Sequence, residues 1–344
     1  MTKLTNSDIQ LLDRRGILKN NSNSSSITTP NINSIFAGPL TFIQKEAIDV
    51  LTAPLLYDEF IGISEKNGSW GQDTVSIKIR EYGGEVTSYV SGNSAITGGQ
   101  KSSINYNTII RGVYEYEKSW VVDDKELNSA GFFNENLIVE ETKATMKALA
   151  IARNRINFLG IPEKNNSNAP VYGILNDPEL LPMITVPANK EGNTEWKDKT
   201  TEEIYNDIIF LINELQKQSK GLSLQSYNSG KVYRLGIANS VFGNLRKTNS
   251  YGLSALTKLK EEFADTLKLF AIPQMDNYDN NTDNIMMLII DADDDIPTAK
   301  GSYMELARAY QIDKLGSTIS QKIVSSISGN ITQRPILIGR ARGI

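Results

Sequence analysis

The chain contains no cysteine and no histidine. The first absence excludes disulfides, thiol nucleophiles and thiolate metal sites. The second removes the commonest general base near neutral pH and the commonest zinc ligand. Ser-His-Asp and Cys-His catalysis are therefore impossible, and any chemistry would have to run on Asp, Glu, Lys, Tyr and Ser. Long apolar runs are missing too. The longest, Ile285–Ile290, falls far short of the roughly 20 residues of a helical membrane span. The opening "MTKLTNSDIQLLDRRGILKNN" has no apolar centre of the signal-peptide kind. The expectation is a protein made and folded in a cytoplasm, with no membrane partner. Basic excess is also lacking: 36 Lys and Arg stand against 40 Asp and Glu, a formal charge of −4. A groove that clamps nucleic acid by counterion release usually needs a basic surface, so the whole-chain charge argues against that role.

What remains is an ordinary globular composition. Hydrophobic residues at 40% are enough for a sizeable core, and charged residues at 22% exclude a disordered chain. The 344 residues fit one large domain or two ordinary ones.

Residues 1–40 differ from the rest. "NNSNSSSITTPNINS", Asn20 to Ser34, is polar, low in complexity and short of core formers. It reads either as a loose tail or as an arm that orders on a neighbouring subunit. Ile43, Ala47, Val50 and Leu51 then predict a short helix, interrupted by Pro54. The period changes at "TVSIKIR", where Val75, Ile77 and Ile79 alternate with Ser76, Lys78 and Arg80. That is a strand with one apolar face. A second alternating run holds Ile104, Tyr106, Thr108 and Ile110, then Tyr114, Tyr116 and Trp120. Between the two lies a Gly/Ser/Asn tip, Ser91 to Ser103. The pattern predicts one long hairpin from Trp70 to Val122. Two strands cannot bury both faces by themselves, so the hairpin either folds back on its own domain or lies across another chain.

The clearest helix follows. Asn134 is the expected N-cap, with Glu135, Glu140 and Glu141 near the positive end of the dipole. Ile138, Thr142, Thr145, Leu149, Ala152, Ile156 and Leu159 form one stripe at helical spacing. Gly160 and Pro162 end it. Glu135 to Leu159 is roughly 37 Å at ~1.5 Å per residue, long for a globular protein. The remainder reads as α+β. A capping box, Thr200 to Glu203, opens a helix with the stripe Ile204, Ile208, Leu211 and Leu215, closed by Gly221. "KVYRLGI" is a short strand. "SALTKLKEEFADTLKLF" is a helix with Leu256, Leu259, Phe263 and Leu267 on one face. "NIMMLII" has the pattern of a fully buried strand. Gly329–Asn330 divides two closing extended runs.

One stretch invites chemistry. "IMMLIIDADDDIP" runs an apolar strand into Asp291, Asp293, Asp294 and Asp295. As a calcium loop it fails, because the turn-glycine position holds Ile296 and the twelfth position Ser302. Asp291 and Asp293 remain candidate magnesium ligands. The competing reading is a buried strand emerging into a solvated acidic turn, stopped by Pro297. Gly98–Lys101 lacks the spacing of a phosphate loop. Glu115 and Glu117 share one side of a strand, as paired glycosidase carboxylates could, but Lys118 and the nearby tyrosines favour a charged strand face. No cofactor is expected.

The order of parts is more specific than any motif. A polar arm, a long hairpin, one long helix, a compact α+β region and extended closing segments together resemble the major capsid protein of tailed bacteriophages, of the Hong Kong ninety-seven type. "APVYGILNDPELL" (Ala169 to Leu181) resembles the segment after the family's spine helix. "LFAIPQMD" (Leu269 to Asp276) resembles its apolar-Pro strand, and "NITQRPILIGRARGI" (Asn330 to Ile344) its closing strand with an Arg-Pro pair. The resemblance implies an α+β capsid fold: an N-terminal arm over 1–63, an E-loop hairpin over 64–122, and a P-domain with its spine helix over 123–168. An A-domain over 169–300 and a return to the P-domain over 301–344 complete it. It implies a structural subunit, not an enzyme, that forms hexamers and pentamers of an icosahedral shell around double-stranded DNA without sequence-specific binding. Tyr89, Ile96, Lys101, Ile104 and Tyr106 become the inter-subunit contact candidates. Some relatives cross-link a lysine to an asparagine between subunits; nothing assigns that role to Lys101. Implied partners are a portal and decoration proteins, with scaffolding either supplied by a separate protein or absent, and the implied location is the virion, assembled in a bacterial cytoplasm. An encapsulin-like cellular compartment and an aspartate-dependent metal enzyme are the alternatives. A tail or adhesion protein would show repeats, which are absent.

Overall fold

A computed structural model describes residues 55–62, 64–82, 104–132, 136–161, 169–219, 232–278, 283–293 and 296–344. By contact the chain divides into two units: Met1–Pro54 with Asn128–Glu135, and Leu55–Leu127 with Asn136–Ile344. The elements below belong to the second unit, apart from the end of one helix that crosses the division. The expected helix around Ile43–Leu51, the arm's Asn20–Ser34, the tip Ser91–Ser103, Asn134 and Gly221 lie outside the described residues.

Two sheets organise the unit. The first holds β1 (Ser64–Lys66), β4 (Tyr114–Asp123), β11 (Ala299–Ala309), β12 (Asp313–Leu315) and β13 (Thr318–Thr332). β13 pairs antiparallel with β11 and β12 along one side and with β4 along the other. The second sheet has the order β5 (Ile184–Thr185), β14 (Ile338–Arg342), β8 (Ile285–Ile290), β6 (Tyr233–Ala238), β7 (Leu267–Ile272). A separate two-stranded ribbon is formed by β2 (Thr74–Tyr82) and β3 (Ile104–Gly112). A small acidic hairpin pairs β9 (Ala292–Asp293) with β10 (Ile296–Pro297). The helices are α1 (Tyr57–Ile61), α2 (Asp124–Phe132), α3 (Leu137–Leu159), α4 (Thr201–Gln218), α5 (Asn239–Phe242) and α6 (Ala255–Phe263).

β8 is buried at every position, as its unbroken apolar run requires. Its neighbours show why. Gly236 of β6, opposite Met287, faces Phe60, Ile272 and Met275. Gly339 of β14, opposite Leu288, faces Leu211 and Leu215 of α4. A strand covered on both faces loses the polar alternation of a half-exposed one. α4 keeps the expected capping box between Thr200 and Glu203, and Ile204, Ile208, Leu211 and Leu215 all face the core.

The long helix α3 begins two residues later than expected. Asn136 is the N-cap, its side chain accepting from the Val139 N–H. Thr145 and Leu149 of the expected stripe are buried, but toward the C-terminus the inward positions shift to Asn154, Asn157 and Phe158. The cause is what waits beneath. Phe158 packs edge-on to Tyr57 at 5.4 Å. The Asn154 carboxamide accepts from the Tyr57 N–H at 3.0 Å. Tyr57 in turn donates its hydroxyl to Asn330 Oδ1 at 2.7 Å, and burial pushes its phenol pKa well up. Buried asparagines are invisible to an apolar count.

Three expectations need correction. The hairpin does not run from Trp70 to Val122. It closes at Thr74 opposite Gly112, and after Val113 the chain enters β4, which pairs with β13 instead. Gly112 donates to Pro170 O, and a Cβ there would meet Ala169 O at 2.2 Å. That close approach redirects the chain. Leu267 is not on the face of α6: the helix stops at Phe263, a short turn follows with Ala264 at φ 45°, and Leu267 opens β7. Gly329–Asn330 does not divide two runs, since β13 passes through both, with Gly329 at φ 79° bulging against Tyr172. Within 301–344, β13 belongs to the first sheet and β14 joins β8 and β5 in the second.

Candidate assembly surfaces and the acidic strand end

The acidic strand end is a structural clamp. Asp291 accepts from Arg234 Nη2 at 2.8 Å, and the same guanidinium donates to the carbonyls of Glu59 and Phe60 at the end of α1. Thr298 closes the loop from the other side, its hydroxyl donating to Ile290 O and Asp291 O. A carboxylate already held by a guanidinium is a poor cation ligand. Asp293 pairs opposite Ile296 in the small hairpin, and Asp294 and Asp295 lie outside the described residues. Among the described residues no three metal-ligating side chains converge. Glu115 and Glu117, the other candidate carboxylates, are exposed on β4, and Glu117 is ion-paired with Lys322.

Of the contact candidates, Tyr89, Ile96 and Lys101 lie outside the described residues. Ile104 and Tyr106 stand on β3 at the far end of the ribbon, opposite Tyr82 and Arg80. Nearer the root the two faces separate. Val75, Ile77 and Ile109 are half-buried, whereas Ile110 is 52% exposed beside exposed Ser76, Lys78 and Thr108. The ribbon strands pair only with each other among the described residues.

A second exposed surface lies on the first sheet. β4 alternates: Trp120 and Val122 are buried on the side where α3 packs, while Val121 is 62% exposed. Val121 sits in one row with Ser320 and Asp313, and the next row carries Thr318 and Leu315, the latter 75% exposed. Arg308 stacks over Trp70 at 5.4 Å and near Tyr310 at 5.8 Å. The rim charges are internally matched, Lys314 to Asp124 and Lys322 to Glu117.

Between ribbon and sheets lies a junction that the sequence only half revealed. Backbone groups of Val171 to Leu181 bond to α3, β13 and β14. Ile174 and Leu175 donate to Asn157 O and Phe158 O at the end of α3, and Asn330 of β13 donates to Tyr172 O. Asn176 accepts from the Gly173 N–H and donates to Leu159 O. Arg340 of β14 donates to Leu175 O and Leu181 O, and burial pulls its pKa down. The ribbon joins through Arg111, whose Nη2 meets Asp177 Oδ1 at 3.0 Å, with side chains 5% and 0% exposed. Sequence reading marked this segment as a motif. It gave no sign of the Arg111–Asp177 pair, because the partners are 66 residues apart.

Solved structures share this architecture. The chain is similar to the capsid of Myoviridae phage XM1, at 16% identity and a TM-score of 0.68, over 90% of this chain and 99% of that one. It is similar to the capsid of a native GTA particle at 11% identity and a TM-score of 0.55, over 90% and 99%. A structure from Mycobacterium phage Bobi gives 12% and 0.50, over 89% and 96%. The shared fold is the Hong Kong ninety-seven type of phage capsids. No curated protein sequence matches. The family model described as Pa193 gp26 major capsid protein matches residues 25–343, and the chain belongs to that family.

Proposed function

We propose that this shell subunit assembles as hexamers and pentamers, with the β2–β3 ribbon acting as an E-loop that lies across a neighbouring subunit. Membership of a major capsid protein family makes the chain a structural subunit of a phage capsid, not an enzyme, and sets aside the compartment and metal-enzyme readings. The observation that carries the ribbon's role is that, among the described residues, its two strands pair only with each other. A two-stranded ribbon is marginal alone in water, and its Ile110 is 52% exposed among the described residues. A neighbour supplies that cover once, and closed symmetry repeats it around the shell.

In this reading the part around α3 is the P-domain with its spine, and the second sheet with α4 and α6 forms most of the A-domain. The shell encloses double-stranded DNA without reading its sequence, in keeping with a net charge of −4. Scaffolding comes from a separate protein, a portal occupies one vertex, and assembly takes place in the bacterial cytoplasm. Ile110→Asp tests the ribbon's role. The variant should keep the monomer's far-ultraviolet circular dichroism and melting temperature yet fail to form shells. Normal shells from it would overturn the ribbon's inter-subunit role.

A further inference from the structure

We propose that Arg111 and Asp177 form a positioning pair that sets the direction of the ribbon, and that the pair gains a second hydrogen bond when the ribbon is seated on a neighbour. This rests on the ribbon's inter-subunit role given above. The pairing seen in the single chain is incomplete. Arg111 Nη2 bonds Asp177 Oδ1, but Arg111 Nε and Asp177 Oδ2 are both buried without a partner among the described residues. Buried polar atoms are nearly always matched, and an unmatched ion pair is the costly kind. Nε and Nη2 lie on the same edge of a guanidinium, the edge that grips a carboxylate with two parallel bonds. One further bond completes that grip.

The surroundings leave one motion open. The guanidinium carbon of Arg111 lies 4.7 Å from the Tyr172 ring centroid. Such a stack fixes the plane of the group but permits rotation within it, and that rotation brings Nε toward Oδ2. Asp177 cannot follow freely: its Oδ1 also accepts from the Glu179 N–H at 3.1 Å. The movement therefore belongs to Arg111 and to the strand that carries it. Arg111 is the penultimate residue of β3, directly before Gly112, which is pinned to Pro170 O. The nine-residue strands of the ribbon give a lever of roughly 30 Å, so a rotation of about 10° at its root moves the far end by about 5 Å. A small change in pairing at the root is a large change in reach at the contact.

Two measurements test this. The first replaces the pair with apolar residues, Arg111→Met with Asp177→Leu, which leaves no uncompensated charge in the fold. The double variant should unfold at the same denaturant concentration as the unaltered subunit but lose uniform closed shells, giving open sheets or mixed particles. Uniform shells from it would reduce the pair to packing and overturn the proposal. The second is a cryo-electron microscopy map of assembled shells. Arg111 Nε within hydrogen-bond distance of Asp177 Oδ2 supports the second setting, and the same single bond in every subunit overturns it. Ile110→Asp, on the exposed face of the ribbon, separates the two levels. If that variant still closes into shells, the ribbon's inter-subunit role fails by itself, whatever the pair does.

Discussion

Lys199 offers the sharpest perturbation of the second sheet's support. Its side chain is 1% exposed, and the ammonium donates to Asp207 Oδ2 and Pro187 O, each at 2.6 Å. Trp196 donates its indole N–H to the same carboxylate oxygen at 2.9 Å. The cluster locks the loop before α4 onto the second turn of that helix. Burial pushes the Asp207 pKa up, and the Lys199 hydrogen bond and charge pull it back. Lys199→Met keeps most of the volume but strands the carboxylate, 4% exposed, with the indole alone. Breaking one side of a buried pair costs about 3–5 kcal/mol. The sign with pH follows from linkage. A carboxyl whose folded pKa is raised binds its proton more tightly folded than unfolded, so its stabilising contribution is full below the unfolded pKa and is lost as pH rises through the folded pKa. The variant raises that pKa further. Its deficit should therefore be largest near neutral pH and shrink toward about pH 4, where aspartate protonates. Urea unfolding of the unassembled subunit, followed by tryptophan fluorescence at both pH values, reads this directly. A deficit below about 1 kcal/mol, the scale of a surface pair, or one indifferent to pH, would refute the reasoning.

Two further outcomes follow from close contacts and from the acidic clamp. Gly173→Ala would place a Cβ 2.3 Å from the carbonyl of Phe158 and 2.5 Å from Gly160 N; backbone cannot yield there, so the expected result is insoluble subunit, and a soluble variant with an unchanged melting temperature would contradict the junction geometry. Asp291→Asn with Asp293→Asn removes the Arg234 pairing at 2.8 Å, so stability should fall by about 1–3 kcal/mol while shells still form without any dependence on magnesium; loss of assembly rescued by the metal would revive the ligand reading.

The parts of the fold legible in the sequence are those where one physical effect acts alone. β8 was visible because a strand covered on both faces must be apolar throughout. α4 was visible because its cap and its apolar stripe agree. The misread parts are those where tertiary contacts override a local pattern. The alternation that begins in β3 continues into β4 without a break in period, so nothing marks Gly112 as the point where the chain leaves the ribbon for β13. Leu267 continues the α6 spacing, yet Ala264 turns the chain and delivers Leu267 to β7 beside Tyr233. At the C-terminal end of α3 the buried faces are amide and aromatic, Asn154, Asn157 and Phe158, and Asn154 and Phe158 find their partners on α1. The clamp at Asp291 was not legible, because Arg234 is 57 residues away. The same holds for Arg111 and Asp177: a buried pair between distant residues leaves no periodic trace.

The central claim is that this chain builds a shell. The most direct test is to express it, alone and with a phage scaffolding protein, and to measure particle mass by light scattering alongside negative-stain images. The account requires closed particles of uniform diameter, with the mass of many subunits. A single-chain mass at every concentration, alone and with scaffolding, would contradict it.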